Sequence, residues 1–256
     1  MRICRFELDG DVRYGVVEGD AVVPLADEPW GQIRPHGRAV PLARVRLLAP
    51  CRPGKIVAVG RNYRAHAAEL GNEVPASPII FMKPATAVIG PGDTILCPPQ
   101  SQNVHHEAEL AVVIGRRCKQ VPPERIAEHV LGYTCANDVT ARDLQKLDEQ
   151  WTRSKSFDTF CPFGPWIETD LDPGDLGVTC RVNGQVRQQG RTRDMVFSVP
   201  VLISFIADAM TLEPGDLILT GTPEGVGPIV PGDLVEVEVE GIGVLRNAVA
   251  RRPTVV

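Results

Sequence analysis

The tripeptide Pro-Gly-Asp occurs four times in this chain, at 91–93, 173–175, 214–216 and 231–233. Pro fixes φ for the second position of a turn, and Gly accepts the positive φ of the third. Three of the four run straight into apolar segments: Thr94-Ile95-Leu96, Leu217-Ile218-Leu219 and Leu234-Val235-Glu236-Val237. A chain punctuated this way turns repeatedly between short strands and does not build a helical bundle. Asn183-Gly184, lying between Val178–Val182 and Gln185-Val186, adds a two-residue hairpin signal. The spacing of these turns is too irregular for a solenoid or a propeller.

Alternation over Arg2–Leu8 predicts a strand, Asp9-Gly10-Asp11 a turn, and Val12–Glu18 the returning strand. Residues 1–50 therefore read as a small N-terminal β domain. Pro24, Pro29, Pro35 and Pro41, then Ala49-Pro50 and Pro53-Gly54, place a soft boundary before a main domain of 51–256. Helices are a minority. One is expected over 61–70, stopped by Gly71-Asn72. A second is expected over 139–147 behind Asp138 as its cap, and a third over 199–210 behind Ser198 with Pro200 in its first turn. In the third, Leu202, Ile203, Ile206 and Met210 recur at helical spacing and should face the core. The expected fold class is a sheet-rich α+β protein.

With 256 residues, 43% of them apolar, the chain can bury a large core without staples. Its formal charge of −5, without any basic run, argues against a nucleic-acid partner. The longest apolar stretch, 196–210, is broken by Ser198, Pro200, Ser204 and Asp208, so no membrane span is expected. The N-terminus shows no secretion signal. Seven cysteines without a CxxC pair suit reduced thiols, and a cytoplasmic location is the expectation.

The segment His105-His106-Glu107-Ala108-Glu109-Leu110-Ala111-Val112-Val113-Ile114 carries the chemistry. From Leu110 it is an uninterrupted apolar strand of the buried type. Side chains alternate across a strand, so Glu107 and Glu109 share one face with Cα atoms ~6.5–7 Å apart. Two carboxylates at the mouth of an apolar strand are costly unless a cation or protons neutralise them. A second apolar run, Val130–Ala136, ends at Asn137-Asp138 and brings a third carboxylate to a strand end. Three such carboxylates would form a hard oxygen site suited to Mg²⁺ or Mn²⁺, with Ca²⁺ also compatible. His105 and His106 leave Zn²⁺ open as an alternative. The plain reading is that the acidic pair is simply hydrated and that Asp138 only caps a helix.

HHEAELAVVIG followed by NDVTARDLQ at 137–145 resembles the metal-site signature of the fumarylacetoacetate hydrolase family. The resemblance runs from Gly60 to about Pro228 and includes GRNYRAHAAELGN (60–72), FMKP (81–84), KSFDTFCPFGPW (155–166), VNG (182–184) and TGTPEGVGP (220–228). It implies a mixed β-sandwich or β-roll catalytic domain preceded by the small N-terminal β domain of bacterial members. It implies that Glu107, Glu109 and Asp138 hold Mg²⁺ or Mn²⁺. Arg142 and Gln145, three apart on one side of the expected helix, would face substrate, as would Thr222, beside its carboxylate. Lys155 matches an active-site lysine. Arg142 or Lys155 would balance an anionic substrate. Lys83 is given either a substrate contact or a structural place. His66 and Glu69, also three apart, match a pair on a lid over the metal, where Glu69 orients His66 and His66 activates water.

The implied reaction passes through a metal-bound enolate of a small 2-oxo acid. It would be C–C bond hydrolysis of an acylpyruvate or isomerisation of 2-hydroxyhepta-2,4-diene-1,7-dioate, with oxaloacetate decarboxylation or tautomerisation as the alternative. Bacterial relatives with such an N-terminal domain serve aromatic-compound breakdown, and relatives are commonly homodimers. A reading of a different class is a metal-stabilised binding protein without turnover.

Overall fold

A computed structural model describes residues 1–253. Strands dominate it, and the large sheet explains the rest. Across its width this sheet runs Val40–Pro41, Ala21–Pro24, Asp11–Glu18, Arg2–Leu8, Cys161–Glu168, Val130–Asn137, Ala108–Ile114, Leu217–Leu219, Ile56–Gly60 and Ile79–Lys83. Arg2–Leu8 pairs with Cys161–Glu168, so the strands of the first 50 residues continue the sheet of the main chain body. A second sheet, in the order Gln185–Arg191, Gly177–Val182, Leu234–Val239, Gly243–Arg251 and Thr94–Cys97, packs against it.

The continuous apolar run Leu110–Ile114 follows from the central position of its strand, Ala108–Ile114, every residue of which is buried. Leu110, Val112 and Ile114 enter the core shared with Val178, Val182, Val235 and Val237 of the second sheet. Ala111 and Val113 enter a separate core with Ile3, Ile56, Ile167, Leu217 and Leu219. Burying each such branched side chain is worth about 1.5–3 kcal/mol, so this strand is a rigid base for whatever its end carries.

Among the described residues four short α-helices interrupt the sheets: α1 (Arg64–Glu69), α2 (Arg142–Leu147), α3 (Thr152–Lys155) and α4 (Val199–Ala209). In α4, Leu202, Ile203 and Ile206 are fully buried, as their spacing predicts, and Met210 lies just past the helix end. None of the described helices is long and apolar enough to cross a membrane.

Two helix starts differ from expectation. The helix expected from 61 begins at Arg64, because Arg61 has φ +58°, outside the helical region, and the Asn62 side chain is engaged elsewhere. The helix expected from 139 begins at Arg142, because Thr140–Ala141 pair instead with Val104–His105. Asp138 is therefore not its cap, and no side chain caps that end. The turns hold better. Asn183 and Gly184 have φ +53° and +76°, as a two-residue hairpin of this kind requires, and Gly92, Gly215 and Gly232 are all at positive φ. Gly174 in the remaining Pro-Gly-Asp is not among the positive-φ glycines, and its N–H donates to the Asp172 carboxylate at 2.9 Å.

Candidate active site

The antiparallel pairing of Ala108–Ile114 with Val130–Asn137 puts Ala108 opposite Asn137 and Glu109 opposite Ala136. Asp138, one residue beyond, is thereby brought beside Glu107 and Glu109, and its N–H donates to the Glu107 carbonyl at 2.9 Å. The Asn137 side chain accepts the Glu107 N–H at 2.9 Å and fixes the other strand end. The three carboxylates each present an oxygen within 4.8 Å of the others, and all three residues are buried. Among the described residues this is the one His/Cys/Asp/Glu cluster spaced to hold an ion.

Three cations meet these carboxylates. Lys155 Nζ donates to Glu107 Oε2 at 2.7 Å and to Asp138 Oδ2 at 2.6 Å. Lys83 Nζ, also buried, donates to Asp138 Oδ1 at 2.6 Å, and Arg142 pairs with Glu107. Burial alone would raise the Glu107 carboxyl, but Lys155 and Arg142 outweigh it and hold it well below the usual carboxylate range. Burial likewise opposes charge on Lys155, yet Asp138 and Glu107 raise its ammonium above the ordinary lysine value. Glu109 moves the other way. Burial, then the facing Asp138 and Glu107 carboxylates, push its carboxyl well up, and among the described residues it has no ion pair. Among the described residues its side chain accepts one hydrogen bond, from the Gly221 N–H at 2.7 Å. Gly221 has φ +97°, and a Cβ there would stand 2.7 Å from Asn62 Cβ, so the loop comes this close only with glycine.

Above the cluster lies a cavity of roughly 380 Å³. His66, Glu69, Glu107, Glu109, Asp138, Arg142, Gln145, Lys155 and Thr222 all line it, so the nine positions singled out in the sequence converge. His66 Nδ1 lies 3.2 Å from Glu69 Oε2, and Glu69 Oε1 accepts the Gly225 N–H at 3.0 Å. Helix α1 is thus tied by one carboxylate to its own histidine and to the 221–227 loop. Thr222 donates to the Ala108 carbonyl at 2.8 Å and accepts from Gln188 at 2.7 Å. Arg142 donates to Gln145 Oε1 at 2.5 Å, which aligns the two on one side of α2.

Comparison with known proteins decides the family. Residues 55–250 match the family described as fumarylacetoacetate (FAA) hydrolase C-terminal. The chain belongs to the fumarylacetoacetate hydrolase family. Residues 1–50 match an Rv2993c-like N-terminal family. The structure is similar to 5-carboxymethyl-2-hydroxymuconate delta-isomerase from Mycobacterium smegmatis, with TM-score 0.94 and 52% identity over 98% of this chain and 100% of that one. It is also similar to maleylpyruvate hydrolase from Sphingobium sp. SYK-6, solved in complex with manganese (II) ion and pyruvate, with TM-score 0.83 and 33% identity over 99% and 100%. The mitochondrial oxaloacetate tautomerase FAHD2A of Bos taurus is 48% identical over 82% of this chain and 71% of that protein. Members of this family are hydrolases and isomerases, and this chain is an enzyme of that kind.

Does this family member's own site fit a divalent ion? The donors are hard carboxylate oxygens, the class that Mg²⁺ and Mn²⁺ select. Glu109, pushed up by burial and by the facing Asp138 and Glu107 and without an ion pair among the described residues, is the carboxylate that a cation would join. The set fits. Zn²⁺ loses its nitrogen ligands, because neither histidine joins the cluster. His106 Nδ1 is held 2.8 Å from Gln188, and His105 Nε2 lies 3.0 Å from Asn103. Burial, then Arg142, lowers His105 to about 4, so it is a neutral structural residue.

Several site residues were not read, or only half read, from the sequence. Lys83 lies 55 positions from Asp138, and only its place at the end of the apolar strand Ile79–Lys83 signals burial. Gln188 carries no local signal, yet it joins His106, Ala108, Thr222 and Pro223. Phe81 and Trp151 form an edge-to-face wall of the cavity, with centroids 5.3 Å apart.

Proposed function

We propose that this protein is a divalent-metal-dependent enzyme that moves a proton on small 2-oxo acids, as an isomerase or tautomerase. The observation that carries the reading is one cavity holding both the buried Glu107–Glu109–Asp138 cluster and the His66–Glu69 pair. Glu107, Glu109 and Asp138 would hold Mg²⁺ or Mn²⁺. Bound there, the ion would supply Lewis-acid stabilisation of negative charge developing on the 2-oxo oxygen.

The chain's own residues do the rest. Lys83, Lys155 and Arg142 pair with Glu107 and Asp138, so a divalent ion added at the cluster would leave the site net positive and favour an anionic acid. Thr222 and Gln145 offer polar contacts at the cavity wall. His66, hydrogen-bonded through Nδ1 to Glu69, presents Nε2 as the nitrogen that takes or returns a proton. The names of the muconate isomerase and oxaloacetate tautomerase relatives support proton transfer. The same histidine acting on water would cleave an acylpyruvate, a second reading supported by the resemblance to maleylpyruvate hydrolase.

The test is a panel of 2-oxo acids with chelator-treated and Mn²⁺-supplemented protein, products identified by NMR in D₂O. Metal-dependent deuterium incorporation next to the 2-oxo group, or isomerised product, is expected. Full turnover after chelation, or no conversion of any 2-oxo acid, would contradict the reading.

A further inference from the structure

The cations near the cluster are spoken for, and the outer cavity holds two that have no carboxylate partner among the described residues, Arg61 and Lys146. Lys155 and Arg142 line the cavity but are each held by carboxylates of the cluster. Arg61 lines the same cavity, is half-buried, and has no carboxylate partner among the described residues. A guanidinium in a half-buried cavity wall is a planar fork of donors without an acceptor.

Its placement is enforced from both sides. Before it, Gly60 closes the strand Ile56–Gly60 against Ile79, and a Cβ at Gly60 would stand 2.5 Å from the Trp151 ring. After it, the Asn62 side chain donates to the carbonyls of Phe197 at 3.0 Å and Thr220 at 2.8 Å, and accepts the Phe197 N–H at 2.9 Å. Between these clamps Arg61 is held at φ +58°, a region that a long side chain rarely adopts. Strain of this sort persists where the surroundings over-determine it, and it clusters at ligand sites. The guanidinium carbon lies 5.9 Å from the centroid of the Trp151 ring, which supports it on one side.

We infer that Arg61 receives a second anionic group on the substrate, so that the enzyme prefers dicarboxylic 2-oxo acids to monocarboxylic ones. The inference rests on the 2-oxo acid reading above and narrows it. The head of the substrate takes the carboxylate-lined end of the cavity, and its distal carboxylate meets the Arg61 fork against Trp151. Lys146 is the competing cation. It also lines the cavity, but it is exposed on the last turn of α2 and has no planar fork.

The experiment compares two pairs of compounds that share a 2-oxo acid head and differ at the far end. One pair is 2-oxoglutarate with 2-oxopentanoate, followed by deuterium incorporation at C3. The other is fumarylpyruvate with acetylpyruvate, followed by loss of the 2,4-dioxo absorbance. For each pair the readout is the ratio of kcat/KM, diacid over monoacid, in Mn²⁺-loaded wild type, R61N, R61K and K146Q. Asn tolerates the left-handed backbone, so R61N is expected to fold, as circular dichroism would verify. The ratio should exceed 1 in the wild type and fall about 10- to 100-fold in R61N, the loss of a charge-assisted hydrogen bond. R61K should recover part of it, and K146Q should move it less. A ratio within about threefold of wild type in R61N, or a larger fall in K146Q, overturns the inference while leaving the 2-oxo acid reading in place. A wild type that converts neither member of either pair overturns the reading and the inference together.

Discussion

Replacing Glu109 by Gln should make the metal-free protein more stable and the metal-bound protein unattainable. Gln keeps the shape and can still accept the Gly221 N–H through its amide oxygen. It removes the one carboxylate of the cluster that lacks an ion pair among the described residues. With carboxylate oxygens within 4.8 Å of one another, like-charge repulsion at an effective dielectric of about 20 is roughly 3 kcal/mol per pair. Lys155 and the Gly221 amide offset part of this, leaving a net relief on the order of 1–3 kcal/mol. At this chain length that corresponds to a rise in Tm of roughly 2–12 °C. The pH dependence has a definite sign. The raised Glu109 carboxyl keeps its proton to higher pH in the folded than in the unfolded chain. Its penalty is therefore absent below the ordinary carboxylate range, grows as pH rises from there to the raised value and is constant above it, and the gain from E109Q follows the same course. In the wild type, Mn²⁺ at ~100 times its Kd adds about 2.7 kcal/mol, or roughly 5–11 °C. Scanning calorimetry of chelator-treated protein with and without Mn²⁺ reads both effects. A lower metal-free Tm in E109Q, or an undiminished Mn²⁺ shift, would refute the reasoning.

Replacing the buried Lys83 by Met leaves Asp138 short of a partner and should cost about 3–5 kcal/mol without metal, read by urea denaturation. Mn²⁺ should recover part of that loss by supplying positive charge, and an unchanged denaturation midpoint would remove Lys83 from the cluster. His66→Ala should slow turnover by about 10²–10⁴ while the Mn²⁺-induced rise in Tm persists; an unchanged rate would exclude His66 as the proton carrier. Six of the seven cysteines are buried and Cys97 is half-buried. Burial pushes the thiols of Cys4, Cys135, Cys161 and Cys180 up to about 12. A thiol reagent at pH 8 should therefore label Cys97 alone in the native protein and all seven after denaturation, whereas rapid native labelling of several would contradict the packing.

What the sequence disclosed depended on how local the cause was. The Arg2–Leu8 hairpin, the Asn183-Gly184 turn and the apolar face of α4 are set by neighbours in the chain, and they stand where alternation and turn chemistry put them. The start of α1 was misplaced because Arg61 and Asn62 answer to Phe197, Thr220 and Trp151, which lie far along the chain. Asp138 looked like a helix cap for the same reason: its real partners are Lys83 and Lys155, 55 and 17 residues away. Glu107 and Glu109 were legible because two acids on one face of a buried strand need an explanation from the strand alone. The nine positions gathered round the cavity came from ordered motifs, whereas Gln188, which joins four of the site's neighbours, lies in a strand with no sign of its role.

The most direct measurement is anomalous diffraction from a crystal of this protein soaked in Mn²⁺. A single strong peak bounded by the carboxylates of Glu107, Glu109 and Asp138 is the predicted result. Absence of density there, or a peak on His105 or His106 instead, would contradict the account.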